Sequence, residues 1–184
     1  MSSQLPLSFS DNRSETFVMV PFCVLAQSFH AKGLVKYDWR GVVKPIMQTL
    51  IDRDVNVIQM PCMETMYNGG PAIGLNREPK GMKHYDVPEF REFCRNEAQK
   101  VFDQVSGIFE SGYRVAAIMG MEYSPSCSVK IQYPPKKGGN PGVYMQELSK
   151  LLDESDYEVP LLGINRRGIG PTIKRLEAAL DTFH

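Results

Sequence analysis

The sequence predicts a three-layer α/β domain built on a mostly parallel β-sheet. Two observations support this fold class. Short apolar runs of strand length alternate with longer segments whose apolar residues recur at helical spacing, and glycine- and proline-rich connections separate them. Chains that alternate strand and helix in this way form parallel sheets with helices on both faces. The 184 residues are enough for one such domain with a real hydrophobic core.

Four apolar runs are predicted as strands, and a proline that cannot donate a ladder hydrogen bond ends the first of them. The second run is apolar almost throughout, which indicates a fully buried central strand. The predicted strands are Thr16–Val20, Val55–Met60, Arg114–Met119 and Val159–Ile164.

Four segments with apolar residues at helical spacing are predicted as helices. The longest begins near Asp86-Val87-Pro88, because proline is tolerated in the first turn of a helix. The others cover Val42–Arg53, Val143–Asp153 and Pro171–Phe183. Residues 62–88 form a long glycine- and proline-rich connection, which we predict to be an ordered lid, and residues 133–142 form an exposed loop. We therefore predict a flexible tail over residues 1–15 and a single Rossmann-like domain over residues 16–184.

Composition excludes several classes of partner. Equal numbers of acidic and basic residues give a formal net charge of zero, so no overall field favours nucleic acid or an anionic membrane. The sequence has no apolar run near the roughly 20 residues of a membrane span and no basic start followed by an apolar core. We expect a cytoplasmic protein, in which cysteines bind metals or catalyse reactions more often than they form disulfides.

Three of the four cysteines follow a predicted strand, each beside a proline: Cys23, Cys62 and Cys127. Ligands of parallel sheets bind at the carboxyl ends of the strands. The three thiols should therefore converge if their strands are neighbours. The last of them lies in Ser124-Pro125-Ser126-Cys127-Ser128.

Three converging thiols have several chemical interpretations. A 4Fe–4S cluster is held by cysteine thiolates, and three of them would leave one iron open. Zinc is the second candidate, although structural zinc usually needs four ligands with a close Cys-x-x-Cys pair, which this sequence lacks. Buried packing and redox thiol chemistry are the remaining alternatives. By contrast, Cys94 lies on an apolar helical stripe and is predicted as a core residue. The histidines, His30, His84 and His184, are expected on loops or the surface.

Four short motifs, in order, resemble the thiouracil desulfurase family, small iron–sulfur enzymes that remove sulfur from thiolated pyrimidines. The first is Cys23 followed by Val35-Lys36-Tyr37-Asp38, and the second is Cys62-Met63-Glu64. Gly74-Leu75-Asn76-Arg77-Glu78-Pro79 and the Ser124–Ser128 segment complete the set. The chain departs from the family at Met63, where members have proline, and at Ser128, where they have glycine.

The resemblance implies a 4Fe–4S cluster on Cys23, Cys62 and Cys127 and a non-redox hydrolysis that removes sulfur from a small thionated compound. Such a reaction needs a general base for water, and Glu64 is the first candidate and Asp38 the second. Ser126 is a further catalytic candidate. The predicted substrate-binding residues are Tyr37, Arg77 and Ser124.

A different function is also compatible with three cluster-binding cysteines. An accessory protein could carry sulfur or electrons to a partner and dock through exposed features. The loop Pro134–Gly139 and the basic pairs Arg166-Arg167 and Lys174-Arg175 are candidates for that surface, although such charges usually face solvent. Neither interpretation includes nucleic acid or a membrane among the expected partners.

Overall fold

The computed structural model describes residues 12–35, 39–134, 137 and 139–182. Within these residues four strands form one sheet in the order β2-β1-β3-β4, and every neighbouring pair is parallel. The strands are β1 Thr16–Pro21, β2 Asn56–Met60, β3 Arg114–Met121 and β4 Leu161–Ile164. The predicted α/β class with a Rossmann-like parallel sheet is confirmed.

The prediction that the second strand is central and fully buried is wrong, because β2 lies at one edge of the described sheet and is only half-buried. Its apolar composition has a different cause. Val57 packs with the core on one face of the sheet, whereas Ile58 packs with the core on the other. Both faces of β2 therefore need apolar side chains although one of its edges is open.

The helices of the described residues are α1 Phe22–Leu25, α2 Lys44–Asp52, α3 Met63–Tyr67, α4 Pro71–Gly74, α5 Met82–Tyr85, α6 Pro88–Glu110, α7 Val143–Asp153 and α8 Ile169–Asp181, with a 3₁₀ turn at Gln27–Phe29. The long helices lie close to their predicted positions, and α7 has the predicted bounds. Three helices of about one turn each, α3 to α5, occupy the segment predicted as an ordered lid. They are too short to show a periodic pattern in the sequence.

Helices cover both faces of the sheet and form two hydrophobic cores. Side chains of α6 and α7 pack on one face with Met19 and Ile118, whereas α2 and α8 pack on the other with Val18 and Val20. Cys94 on α6 is fully buried in the first core, as predicted. None of the helices in the described residues is both long and apolar enough to cross a membrane.

The strand order predicts a crevice at the carboxyl ends of the strands. The chain adds β2 on one side of β1 and β3 on the other, so the direction of winding reverses beside β1. In open α/β sheets, ligands bind outside the carboxyl ends of the strands at such a reversal. The loops that follow β1, β2 and β3 meet at this end of the sheet.

Candidate functional site

A cavity of about 720 Å³ opens at the carboxyl ends of the strands, and Cys23, Cys62 and Cys127 all line it. Cys23 lies in α1 directly after β1, and Cys62 caps α3 directly after β2. Cys127 lies in the loop after β3. The three cysteines are free thiols, and Cys23 and Cys127 are buried. The sheet thus brings together three residues that are far apart in the sequence.

The three thiols are close enough to affect one another's ionisation. Burial raises the pKa of Cys127 to about 12, and the neighbouring Cys62 adds to the increase. The pKa of Cys23 is raised well above its ordinary value, first by burial and then by Cys62 and Cys127. Burial and Glu64 raise the pKa of Cys62. Without a cation the thiols therefore stay protonated, whereas a bound metal would favour their thiolates.

The structure offers no preformed site for a metal ion. Among the residues that it describes, no group of three or more His, Cys, Asp or Glu side chains is arranged to hold one. A zinc site needs close convergence of its ligands, because each Zn–S bond is about 2.3 Å long. In an iron–sulfur cluster each cysteine binds a different iron.

A buried carboxylate links two of the loops that carry the cysteines. Glu64 Oε1, on α3, accepts hydrogen bonds from Ser124 Oγ at 2.9 Å and from Ser126 Oγ at 3.0 Å. Its Oε2 atom lies 3.4 Å from a terminal nitrogen of Arg77. Glu64 lines the cavity, whereas Ser126 lies behind it and is fully buried. The carboxylate is therefore held at a fixed position in the cavity wall.

The serines that contact Glu64 also shape the loop around Cys127. Ser124 Oγ accepts hydrogen bonds from the backbone N–H groups of Ser126 at 3.2 Å and Cys127 at 3.0 Å. Ser126 Oγ lies 3.4 Å from Cys127 Sγ, within hydrogen-bond range for sulfur. Ser124 therefore forms the turn and contacts the carboxylate at the same time, and Ser126 contacts both the carboxylate and the thiol.

The N-terminus of α7 supports this loop from behind. Val143 N–H donates to Pro125 O at 3.0 Å, and Met145 N–H donates to Ser126 O at 3.2 Å. Gly142, which precedes the helix, packs so closely on the Ser126 backbone that a β-carbon there would overlap it. Free N–H groups at the start of a helix need acceptors, and the loop supplies them.

Arg77, predicted to orient a substrate, lines the cavity, but protein atoms engage its terminal nitrogens. It donates to Phe29 O at 2.8 Å, to Thr65 Oγ1 at 2.7 Å and to Gly74 O at 3.0 Å. Its side chain is only 7% exposed. Arg77 therefore holds the loops after β1 and β2 in a fixed relation. The other predicted substrate-binding and catalytic residues of this region, Tyr37 and Asp38, lie outside the described residues.

Several cavity residues were not predicted. His30 was expected on a loop or the surface; it lies in a loop, but it lines the cavity and is half-buried. Its pKa is lowered to about 3 by burial and then by the charges of Arg166 and Arg77, so its imidazole is neutral. Arg166 and Arg167 line the cavity as well, rather than forming only an outer basic face. Arg166 and Arg167 closely follow the carboxyl end of β4, so their place in the cavity could have been predicted from the sequence. No feature of the sequence indicated the place of His30.

Comparison with known proteins adds one relative. The chain is similar to an uncharacterized protein of Methanocaldococcus jannaschii, with 23% identity over 167 residues that cover 90% of this chain and 97% of that protein. No family model matches the chain, and no solved structure is significantly similar to it. Because the archaeal protein is uncharacterized, the similarity carries no activity to this chain. A functional hypothesis must therefore rest on the cavity.

Proposed function

We propose that this protein is an iron–sulfur-dependent desulfurase that hydrolyses a small, thiouracil-like thionated compound. The observation that supports the proposal is that three free thiols and a buried carboxylate line the same cavity. The thiols lie in the segments that follow three neighbouring strands. Cys23, Cys62 and Cys127 would hold a 4Fe–4S cluster. When bound, the cluster would supply an iron without a protein ligand, which acts as a Lewis acid toward a thiocarbonyl sulfur.

The overall reaction exchanges sulfur for oxygen without electron transfer. Water attacks the thiocarbonyl carbon, the C=S bond breaks, a C=O bond forms and sulfide leaves. A base within hydrogen-bond reach of the water takes its first proton, and both protons finally leave with the sulfide as H₂S, which balances the reaction. The chain supplies a carboxylate in the cavity wall for this purpose, and no reductant enters the balance.

We assign the role of that base to Glu64. Its Oε1 atom is fixed by Ser124 and Ser126, which leaves Oε2 near Arg77 as the oxygen with fewer hydrogen bonds. Ser126 contacts both Glu64 and Cys127. It therefore couples the position of the base to the position of a cluster ligand, and hydrogen bonds to ligand sulfur also tune the cluster.

The accessory-protein alternative has less support from the cavity. Its docking surface relied partly on the pair Arg166-Arg167, and both residues contribute to the cavity wall. An enzyme needs charged and polar groups at that position, whereas a docking surface needs them on an outer face. The two functions also differ in reactants, because a carrier needs a partner and the enzyme needs only substrate and water.

Anaerobic reconstitution with iron and sulfide, followed by a screen of thionated bases, tests the proposal. We expect about four irons and four acid-labile sulfides per chain, and sulfide release without added reductant. Cys127→Ala should lose both the cluster absorbance and the activity. Cys94→Ala is the matched control, because Cys94 is buried in the core and does not line the cavity. Retained desulfuration in Cys127→Ala would refute the mechanism, and zinc without iron would refute the cofactor.

A further inference from the structure

We propose that Tyr123 determines specificity by providing, together with the guanidinium of Arg167, a stacking surface for a planar heteroaromatic substrate. The inference rests on the proposed function and deepens it, because it selects aromatic thionated rings over aliphatic thioamides and thioureas. Two independent features of Tyr123 support it: the conformation of its backbone and the position of its ring.

The backbone of Tyr123 adopts a conformation that costs free energy for this type of residue. Its φ angle is +69°, in the left-handed region that glycine and asparagine occupy easily and bulky side chains rarely do. The conformation is held by a hydrogen bond from Tyr123 N–H to Ile131 O at 2.6 Å and by one from Ser124 N–H to Met121 O at 3.2 Å. Such strain concentrates at ligand-binding sites, and here it precedes a serine that binds Glu64.

The ring of Tyr123 remains partly open where it lines the cavity. Tyr123 as a whole residue is 37% exposed, and the central guanidinium carbon of Arg167 lies 5.6 Å from the ring centroid. A second aromatic side chain of the same cavity, Tyr133, is 63% exposed. The Arg167 backbone is held in turn by Asn165 Oδ1, which accepts its N–H at 3.1 Å. The lining of the cavity thus combines two aromatic rings and a guanidinium group with the polar side chains of Glu64 and Ser124.

These features match the chemistry of a flat, electron-poor ring. Aromatic side chains and guanidinium groups both stack on the faces of nucleobase-like rings, and this contact does not depend on the ring's hydrogen-bonding edge. A ring of the same substituents that is saturated at one C–C bond is puckered and not aromatic, so it stacks less well. Stacking on Tyr123 would therefore distinguish the two while leaving the hydrogen-bonding edge free to face the carboxylate.

The test measures binding of sulfur-free compounds to the full-length, cluster-loaded protein by isothermal titration calorimetry. Uracil is the aromatic probe, and dihydrouracil has the same polar groups without an aromatic ring. Tyr123→Gly removes the ring and suits the positive φ angle, so the fold should persist, which circular dichroism checks. We expect uracil to bind about 10-fold more weakly to Tyr123→Gly, from the usual size of base stacking on an aromatic side chain. Tyr123→Phe, which keeps the ring, should restore most of the affinity.

Each outcome separates this inference from the desulfurase proposal. Equal binding of uracil to wild type and Tyr123→Gly, or an equal loss for uracil and dihydrouracil, would overturn the stacking role. Failure of the wild type to bind uracil would do the same. A protein that releases no sulfide from any thionated base, yet shows the expected preference for uracil, would retain the stacking surface and lose the proposed reaction.

Discussion

Replacing Gly142 by alanine should disrupt the loop that carries Cys127. The glycine has φ −65° and ψ 155°, which any residue can adopt, so its backbone conformation does not explain why a side chain is absent. The reason is space, because a β-carbon at residue 142 would overlap the carbonyl group of Ser126 and the backbone nitrogen of Cys127. Backbone atoms cannot move aside as a flexible side chain would, so the loop and the start of α7 must separate.

The cost of this separation follows from the contacts at the interface. Overpacking in a tightly packed region typically costs about 1–3 kcal/mol. The hydrogen bonds from Val143 N–H to Pro125 O and from Met145 N–H to Ser126 O would be weakened, and each contributes about 1 kcal/mol. We therefore expect Gly142→Ala to lower the free energy of unfolding by roughly 2–4 kcal/mol and to reduce the iron content after reconstitution.

A second glycine provides a matched control with the opposite sign. Gly107 is exposed within α6, and a β-carbon there would meet no atom within 4 Å. Gly107→Ala should raise the free energy of unfolding by up to about 1 kcal/mol, because alanine favours the helix more than glycine does. Urea denaturation of the metal-free proteins measures both changes. If Gly142→Ala is as stable as wild type, or binds iron equally well, then close packing of α7 on the loop does not hold Cys127 in position.

Two further predictions concern titratable groups of the cavity. Glu64→Gln keeps the acceptor for Ser124 and Ser126 but removes the charge that faces Arg77. It should lower kcat at least about 100-fold at unchanged iron content, and a normal kcat would exclude Glu64 as the base. The second prediction is a pH effect of His30, whose pKa falls from 6.5 to about 3 on folding. Between those values the unfolded chain binds more protons, so stability decreases as the pH is lowered, by at most about 1.4 kcal/mol per pH unit from this residue. Urea denaturation from pH 7 to 4 should show a shallower pH dependence for His30→Gln, and identical slopes would contradict the prediction.

Much of the fold could be predicted from the sequence because the patterns that indicate helices and strands are local. The apolar periodicity of Val143–Asp153 predicted α7 with its observed bounds, since every turn of a helix repeats the same pattern. The apolar run of β2 predicted a strand but misplaced it in the sheet. An apolar run indicates that both faces of a strand are covered. It does not indicate whether the strand has a neighbour on each side.

The grouping of the cysteines was predictable for a related reason. Strand ends can be located from local patterns, and the carboxyl ends of all strands in a parallel sheet lie at the same end of the sheet. The same rule, applied to the strand Leu161–Ile164, would have added Arg166 and Arg167 to the cavity. Applied to Arg114–Met121, it would have added Tyr123.

Local sequence patterns were enough to predict the α/β alternation, the positions of the long helices and the end of the sheet at which the three thiols meet. The folded structure was needed to see that Arg77 fixes loops, that His30 lines the cavity, and that Glu64 binds two serines about sixty residues away. This difference follows from the range of the interactions. Periodicity reflects contacts between residues a few positions apart, whereas a cavity wall is built from loops that become neighbours only after the strands have paired.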